Sequence, residues 1–337
     1  MPDFIQDEQG VNLKLSVCVI TYNHSKYIVE CLSSILMQEF EGDYEVIISD
    51  DASTDGTAAV VGGFISDNNL NNYHLYESSQ NKGMMRNFIG ALSSCSGDYI
   101  ALCEGDDYWT DKSKIQKQLN VMSNFPGCAL VIHPCTLHKS EKDKDSVAFL
   151  KSEEQFNFFA ADILSTSGQF SPSASYMLKR EVVEELPAWL SGAPIGDFFI
   201  ELYSMKQGYG VYLPVPMSAY RVFSNNSWSD VMRKDNGTKM LCFGEKMLDC
   251  FHELEKDSFF MKEDFSNKKS AVLTNISIAN LFLKRRAEFR LAIESSVSSY
   301  KYSSSTQKIL YVLRKFPNFA LLMFKLKGLA YAVFRVK

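Results

Sequence analysis

"DYIALCEGDDYW", residues 98–109, is the stretch that decides how this chain folds. Tyr99, Ile100, Ala101 and Leu102 form a short apolar run, and the four positions after Cys103 hold three carboxylates: Glu104, Asp106 and Asp107. An apolar run of that length, bounded by turn residues, predicts a buried strand. Like charges so close repel and raise one another's pKa, a strain that a bound cation would relieve. A D-D pair alone reads better as a solvated acidic turn capping the helix that starts near Asp111. The strand before it and Trp109 after it favour a ligand site.

Working outward, strand and helix patterns alternate. "LKLSVCVIT" (13–21) predicts a first strand, and "YIVECLSSILMQ" (27–38) has helical spacing through Ile28, Cys31, Leu32, Ile35 and Leu36. "YEVIISDD" (44–51) predicts the second strand, and Ser53 to Asp55 supply cap chemistry for a helix from about Thr57. "YHLYES" (73–78) is a third strand, and helices are expected over 87–94 and 111–122. One further strand is expected over "CALVIHPCTLH" (128–138). Strands separated by helix-length segments imply a doubly wound, mostly parallel α/β sheet covered on both faces. Such sheets bind ligands outside the carboxyl ends of their strands. Tyr22, the pair Asp50-Asp51 and the group Glu104 to Asp107 stand at three of those ends.

The chain's 337 residues suffice for one large or two modest domains, and 46% hydrophobic with 22% charged residues suits a soluble globular protein. No run of about 18 apolar residues predicts a spanning helix. Asp3, Asp7 and Glu8 do not resemble a signal peptide, so a cytoplasmic location is expected. Eight cysteines without a C-x-x-C pair, several in apolar runs, read as reduced core thiols rather than disulfides or zinc ligands. The net charge of −5 is uneven. After Glu294 no acid occurs, while Lys301, Lys308, Arg314, Lys315, Lys325, Lys327, Arg335 and Lys337 give +8, leaving −13 on the rest. An acidic body argues against nucleic acid as a partner.

Residues 139–155 form a charged connection, the chain to about Trp228 mixes short strands and helices, and from about 230 it reads helical. "KKSAVLTNISIANLFLKRRAEFRLAIESSV" (268–297) predicts a helical pair. In the tail, 308–337, Phe319, Leu322, Met323, Leu326 and Val333 fall near one helical face with Lys325 and Lys327 off it, and Pro317 divides the segment. Two readings stand: a helix packed on its own core, or an interfacial helix on anionic lipid.

Carboxylates gathered without His or Cys suit Mg2+ or Mn2+ better than zinc. Five stretches occur in order: "SVCVITYNHSKYIVECLSSILMQ" (16–38), "YEVIISDDASTDGT" (44–57), "NKGMMRN" (81–87), "GDYIALCEGDDYW" (97–109) and "IGDFFIELYSMKQGYGVYLPVPMSAYRVFSNNSWS" (195–229). In that order and spacing the chain resembles the inverting glycosyltransferases of family 2, which have the GT-A fold and include enzymes of bacterial surface-polysaccharide assembly. The resemblance covers about two thirds of the chain. It implies a GT-A domain over 1–229, with a nucleotide-sugar half at about 14–138 and an acceptor half at about 156–229, followed by a helical region over 230–337.

Carried over by position, the resemblance gives Asp51 contact with the uracil or ribose of a UDP-sugar, and puts Tyr22 beside the base. Asp107 matches the metal-binding aspartate, and Asp106 its neighbour facing the ribose or the same metal, Mn2+ or Mg2+. Glu104 shapes the loop, and Asp197 matches the catalytic base. Lys82, Arg86 and Arg221 are phosphate candidates, with Arg221 favoured because guanidinium forks suit phosphate. Each has a local alternative: packing for Tyr22, a turn carboxylate for Asp51, an N-cap for Asp197, and plain surface charge for Lys82 and Arg86. Relatives often carry His where Phe223 stands, which bears on metal affinity. The implied acceptor is a saccharide or a lipid-linked one, as in O-antigen, capsule or exopolysaccharide synthesis. A sugar-nucleotide nucleotidyltransferase would have a Gly-rich loop where "TYNHSKY" stands, and an aspartyl-phosphate phosphatase would carry carboxylates at the first strand. A non-catalytic carbohydrate- or nucleotide-binding protein would not need Asp51, Asp106, Asp107 and Asp197 together. The sugar itself is set by loops near 170–176, 185–197 and 222–230, which spacing does not resolve.

Overall fold

In a computed structural model of the chain, residues 14–40, 42–138, 145–166, 168–222, 235, 237–261 and 265–326 are described. β1 (Lys14–Thr21) runs parallel to β2 (Asp43–Asp50) on one side and to β4 (Tyr99–Glu104) on the other, with β3 (Tyr73–Glu77) outside β2. The connections are α1 (Ile28–Leu36), α2 (Thr57–Asp67) and α3 (Met84–Ser94). Seven of the eight β1 residues are buried, the continuous burial of a parallel strand covered on both faces. Ile28, Cys31, Leu32 and Ile35 of α1 share a core with Val17, Val19, Val46 and Ile48. Each fully buried aliphatic side chain there contributes about 1.5–3 kcal/mol.

After β4, the short β5 (Tyr108–Trp109) and α4 (Lys114–Asn124) lead to β6 (Cys128–Ile132) and β7 (Cys135–His138). The single strand expected over 128–138 is thus two strands in two sheets. Pro134 has no N–H for a ladder and breaks the strand, and the His133 ring turns onto the Pro134 carbonyl, 2.8 Å from Nδ1. α4 also starts later than expected, because the Asp111 carboxylate accepts the Ser113 N–H at 2.8 Å and so precedes the helix.

β8 (Ser146–Ala148), β9 (Phe156–Phe158), α5 (Ala160–Ser165), β10 (Met177–Lys179), α6 (Arg180–Glu184), α7 (Asp197–Ser204), β11 (Tyr209–Tyr212) and β12 (Ser218–Arg221) follow. The main sheet has the order β3-β2-β1-β4-β10-β6-β11-β9. β10 is antiparallel between β4 and β6, β11 is parallel to β6, and β9 closes the edge antiparallel. The sheet is therefore mostly parallel, as the alternation predicts. A second sheet, β5-β12-β7-β8, carries Asp107 and Arg221 at its strand ends.

The chain divides into two compact units, Met1–Ala160 with Phe170–Val222, and Ala161–Gln169 with Phe223–Lys337. The second unit is helical: α8 (Thr238–Leu254), α9 (Ser266–Phe282), α10 (Arg286–Ser299), α11 (Ser305–Val312) and α12 (Pro317–Leu326). Residues 161–169 belong with it because Lys268 Nζ donates to Thr166 Oγ1 and the Gly168 carbonyl, at 3.0 and 2.8 Å. The expected helical pair is α9 with α10. Gln307 from α11 is buried among Ser270 Oγ, Ser296 Oγ and the Tyr300 carbonyl, tying three helices together.

The tail divides at Pro317, as its sequence predicts, but the face turned to the core is another one. Leu310, Ala320 and Phe324 are buried with Leu281, Phe289 and Ile293, whereas Phe319 and Leu322 are exposed. The tail is apolar on two faces, which a one-face reading does not separate. Val333 and the Leu326 side chain lie outside the described residues. All eight cysteines are free thiols, seven of them buried. Among the described residues no helix is long and apolar enough to cross a membrane.

Candidate active site

β1 and β2 end side by side, Thr21 opposite Asp50, and the loops that follow are laced together. Asn23 N donates to Ser53 Oγ at 2.8 Å, Thr54 N to Asn23 Oδ1 at 2.8 Å, His24 N to Thr57 Oγ1 at 2.9 Å and Ser25 N to Asp55 Oδ2 at 3.0 Å. Desolvation pushes Asp55 up, but the bonds from Thr57 and Ser25 outweigh it and hold the carboxyl at about 2. Tyr22 projects from this clamp 41% exposed, so it is no core residue.

Asp51 is buried. Its Oδ1 accepts the Lys82 N–H at 2.7 Å and its Oδ2 the Gly83 N–H at 2.9 Å, which secures the entry to α3. Gly83 has φ +89°, the left-handed region that favours glycine, which accounts for the glycine of "NKGMMRN". The turn-carboxylate role is therefore real. A carboxylate accepts about four hydrogen bonds, so these two leave room for a ligand donor. Lys82 and Arg86 are exposed at the start of α3, beside Asp51.

The acidic turn closes on the end of β1. Gly105 N donates to the Ile20 carbonyl at 2.9 Å. A Cβ on Gly105 would stand 2.9 Å from Thr21 Oγ1 and 3.0 Å from His24 Nδ1 and Ile28 Cδ1. Only glycine lets the turn approach so closely. The approach brings Asp106 Oδ1 to 3.9 Å from His24 Nε2. Asp107 is buried, and its Oδ1 accepts the Arg221 backbone N–H at 3.0 Å.

The Arg221 guanidinium is partly engaged within the protein. Nη1 donates to the Asp106 carbonyl at 2.6 Å and Nη2 pairs with Glu30. The group lies over the rings of Tyr108 and Tyr27, at 4.5 and 5.2 Å. It holds the acidic turn from within, a supporting role that stands beside the expected phosphate contact, since a guanidinium has five N–H donors.

Glu104 accepts the Ser173 hydroxyl at 2.6 Å. Burial first, then Asp106 and Asp197, push its carboxyl up to about 7 against the lowering effect of Ser173. Burial, Asp106 and Glu104 likewise raise Asp107 well above the carboxylate range. Asp197 opens α7, and its Oδ1 accepts the Phe198 N–H at 2.8 Å. Gly196, just before it, lies against Met85 and Phe88 of α3, where a Cβ would stand 3.0 Å from each side chain. The helix that Asp51 secures thus also supports Asp197. Glu104, Asp106, Asp107 and Asp197 form one electrostatically linked group.

Among the described residues no three or more His, Cys, Asp or Glu side chains are grouped so as to hold a metal ion by themselves. The donor set nonetheless fits Mg2+ or Mn2+, which are held by one or two carboxylates with substrate phosphates supplying further oxygens. Burial first, then the neighbouring Asp106 and Glu104, raise Asp107, a crowding of carboxylates that a cation would relieve. Asp106 and Asp107 are the residues that would hold the ion. Phe223 lies outside the described residues. Two neighbours of the site are absent from the sequence reading: His24, two positions after Tyr22 at the end of β1, and Glu30, the partner of Arg221. His24 was open to detection because its loop faces the strand ends, whereas Glu30 carried no signal on the exposed side of a helix.

The sequence profile described as "Glycosyl transferase family 2" matches residues 16–186, half of the chain. The chain belongs to glycosyl transferase family 2. This glycosyltransferase is 30% identical over 244 residues to an uncharacterised protein of Mycobacterium tuberculosis (strain ATCC 25618 / H37Rv), covering 71% of this chain and 69% of that protein. It is 32% identical over 178 residues to the abequosyltransferase RfbV of Salmonella typhimurium, covering 50% of this chain and 53% of that enzyme. Among solved structures, S. aureus TarS 1–349 in complex with UDP-GlcNAc superposes with a TM-score of 0.64 at 15% identity, over 94% of this chain and 92% of that one. The mannosyltransferase PcManGT of Pyrobaculum calidifontis, in complex with GDP-Man and Mn2+, gives 0.56 at 16% identity over 96% and 90%. At such identities the likeness is one of fold, and the fold is GT-A.

Proposed function

We propose that this glycosyltransferase moves a sugar from a UDP-sugar to an acceptor hydroxyl in a single displacement with inversion, with residues 14–138 holding the donor and 156–229 the acceptor. The observation that carries the reading is that α3, whose entry Asp51 secures, also packs through Met85 and Phe88 against Gly196, next to Asp197. It ties a potential base to a carboxylate of the donor half. Tyr22 and Asp51 flank the base and ribose, and Lys82 and Arg86 stand where phosphate or sugar oxygens pass. Mn2+ or Mg2+ at Asp106 and Asp107 supplies countercharge to the leaving diphosphate when bound.

A hydroxyl is a poor nucleophile until its proton is taken. Asp197 takes it, an effect of about 10²–10⁴ in rate. Arg221 positions Asp106 through the carbonyl bond. The acceptor is a saccharide or a lipid-linked one in O-antigen, capsule or exopolysaccharide assembly at the inner face of the cytoplasmic membrane. The name of TarS with UDP-GlcNAc supports a UDP-sugar donor, and that of RfbV supports glycosyl transfer.

The test is a panel of nucleotide sugars assayed for UDP release with Mn2+, with Mg2+ and with chelator. NMR of the product follows, with a β-linkage expected from an α-linked donor. Retention of configuration, or no turnover of any UDP-sugar in the presence of saccharide and lipid-linked acceptors, would overturn the reading.

A further inference from the structure

The helical unit carries a cavity and an apolar stripe that sugar transfer does not use. The cavity, about 270 Å³, is lined by the end of α9, the start of α10 and the start of α12, through Asn280, Lys284, Arg286, Asn318, Leu281 and Leu321. Asn280 is only 3% exposed, and its Oδ1 is buried without a hydrogen-bond partner. Its Nδ2 donates to the Ile276 carbonyl at 3.1 Å, so the amide is fixed with the oxygen wanting a donor. Arg286 Nη2 donates to Asn318 Oδ1 at 3.1 Å, which holds a cation at the cavity wall. Lys284 adds a second.

Pro317 and Asn318, at the cavity, lie between Phe316 and Phe319 in sequence. These two belong, with Ile309 and Val312 on α11 and Leu322 on α12, to an apolar stripe that runs over the turn between the two helices, each residue between 40 and 65% exposed. A soluble surface seldom shows so many large apolar side chains within so short a segment without a partner. Exposed Lys301, Lys308 and Lys315 flank the stripe, and the sequence has no acid after Glu294, which itself pairs with Arg314. A second copy of the chain would set this excess positive charge against itself. An anionic bilayer would complement it.

We infer that this face is a docking site for an anionic glycerophospholipid surface, with the apolar stripe at the acyl boundary and the cavity taking a hydroxyl-bearing headgroup. Lys284 and Arg286 meet the phosphate, and the headgroup hydroxyl donates to Asn280 Oδ1. Apolar insertion and cationic contact act together, as in interfacial helices. The inference does not rest on the sugar-transfer reading, because it concerns binding without a donor.

The test is flotation of the full chain with vesicles of phosphatidylcholine alone, and of equimolar phosphatidylcholine with either phosphatidylglycerol or phosphatidic acid. Binding to phosphatidylglycerol vesicles is expected to exceed binding to phosphatidylcholine about 10-fold, and to fall about 10-fold in high salt. Phe316→Ser with Phe319→Ser, and separately Lys284→Glu with Arg286→Glu, should each remove most of it. Val312→Asp, at an exposed position that burdens folding least, gives a second probe of the stripe. Asn280→Leu should erase the preference for phosphatidylglycerol over phosphatidic acid. Equal binding to neutral vesicles, or binding unchanged in all of these variants, would overturn the inference. So would a dimer in size-exclusion chromatography that the phenylalanine variants split, which would assign the stripe to a second copy.

Discussion

Burial and Asp106 raise the pKa of Glu104, and Asp197 adds to the rise. Asp197 and Glu104 come from α7 and β4, yet the charge of Asp197 joins burial and Asp106 in pushing Glu104 up to about 7. Near neutral pH Glu104 therefore holds a proton part of the time, which reduces the negative charge facing Asp197.

Asp197→Asn keeps the shape and removes both the base and the repulsion. Transfer is expected to drop about 10²–10⁴-fold while UDP affinity by calorimetry stays within a few-fold. Wild-type turnover in this variant would show that the base lies elsewhere.

Asp107→Asn separates stability from donor binding. The wild-type carboxylate is buried beside Asp106 and Glu104, and asparagine can still accept the Arg221 N–H. In metal-free buffer the variant should melt no lower than wild type, in keeping with relief of buried like charge. Its Mn2+-dependent affinity for the UDP-sugar should fall at least about 10-fold, a tenfold change being about 1.4 kcal/mol.

Arg221→Met tests whether the guanidinium is a support or a phosphate ligand. Glu30, its partner, has a side chain 57% exposed, so solvent screens that end of the pair. Loss of the carbonyl bond and the ring contacts should lower stability by about 1–3 kcal/mol in denaturant melts. A variant with unchanged stability and a raised KM for the donor would favour the phosphate role.

Lys114 gives a pH signature. It is fully buried, with Nζ 2.8 Å from Gln118 Oε1 and 4.1 Å from the Trp109 ring centre. Burial, opposed in part by Cys103, depresses it to about 7, from an ordinary value of 10.5. The unfolded chain therefore binds more protons than the folded one between about 7 and 10.5, and stability rises with pH across that window. Below pH 7 the penalty is fully present. The melting temperature of wild type minus that of Lys114→Met should climb from pH 7 to 9, and a flat difference would place the lysine's charge in solvent.

Gly105→Ala should cost about 1–3 kcal/mol by overpacking against Thr21, His24 and Ile28. Because the same turn carries Asp106 and Asp107, donor binding should weaken with it. Thermal melts and UDP calorimetry on one preparation check both.

The sequence reading was strongest where one residue pattern had one physical solution. Val17, Val19, Val46 and Ile48 could form only buried parallel strands, and the polar groups after them had to meet at the carboxyl ends. It was weaker where partners come from far along the chain. The use of Arg221 depended on Glu30 and Tyr27 on α1, contacts that no local spacing encodes. Pro134 was visible, but reading 128–138 as one strand ignored its missing N–H. The tail's apolar residues were legible as helical, but which of two faces meets the core was settled by Leu281, Phe289 and Ile293 from other helices.

The lacing of residues 23–25 to 53–57 has a consequence for engineering. Each side supplies both donors and acceptors, as Asn23 does with Ser53 and Thr54. A graft from a homologue that replaced one segment alone would strand its counterpart's polar atoms, while a graft of both would carry its own complement. The two stretches should be inherited and exchanged as one cassette.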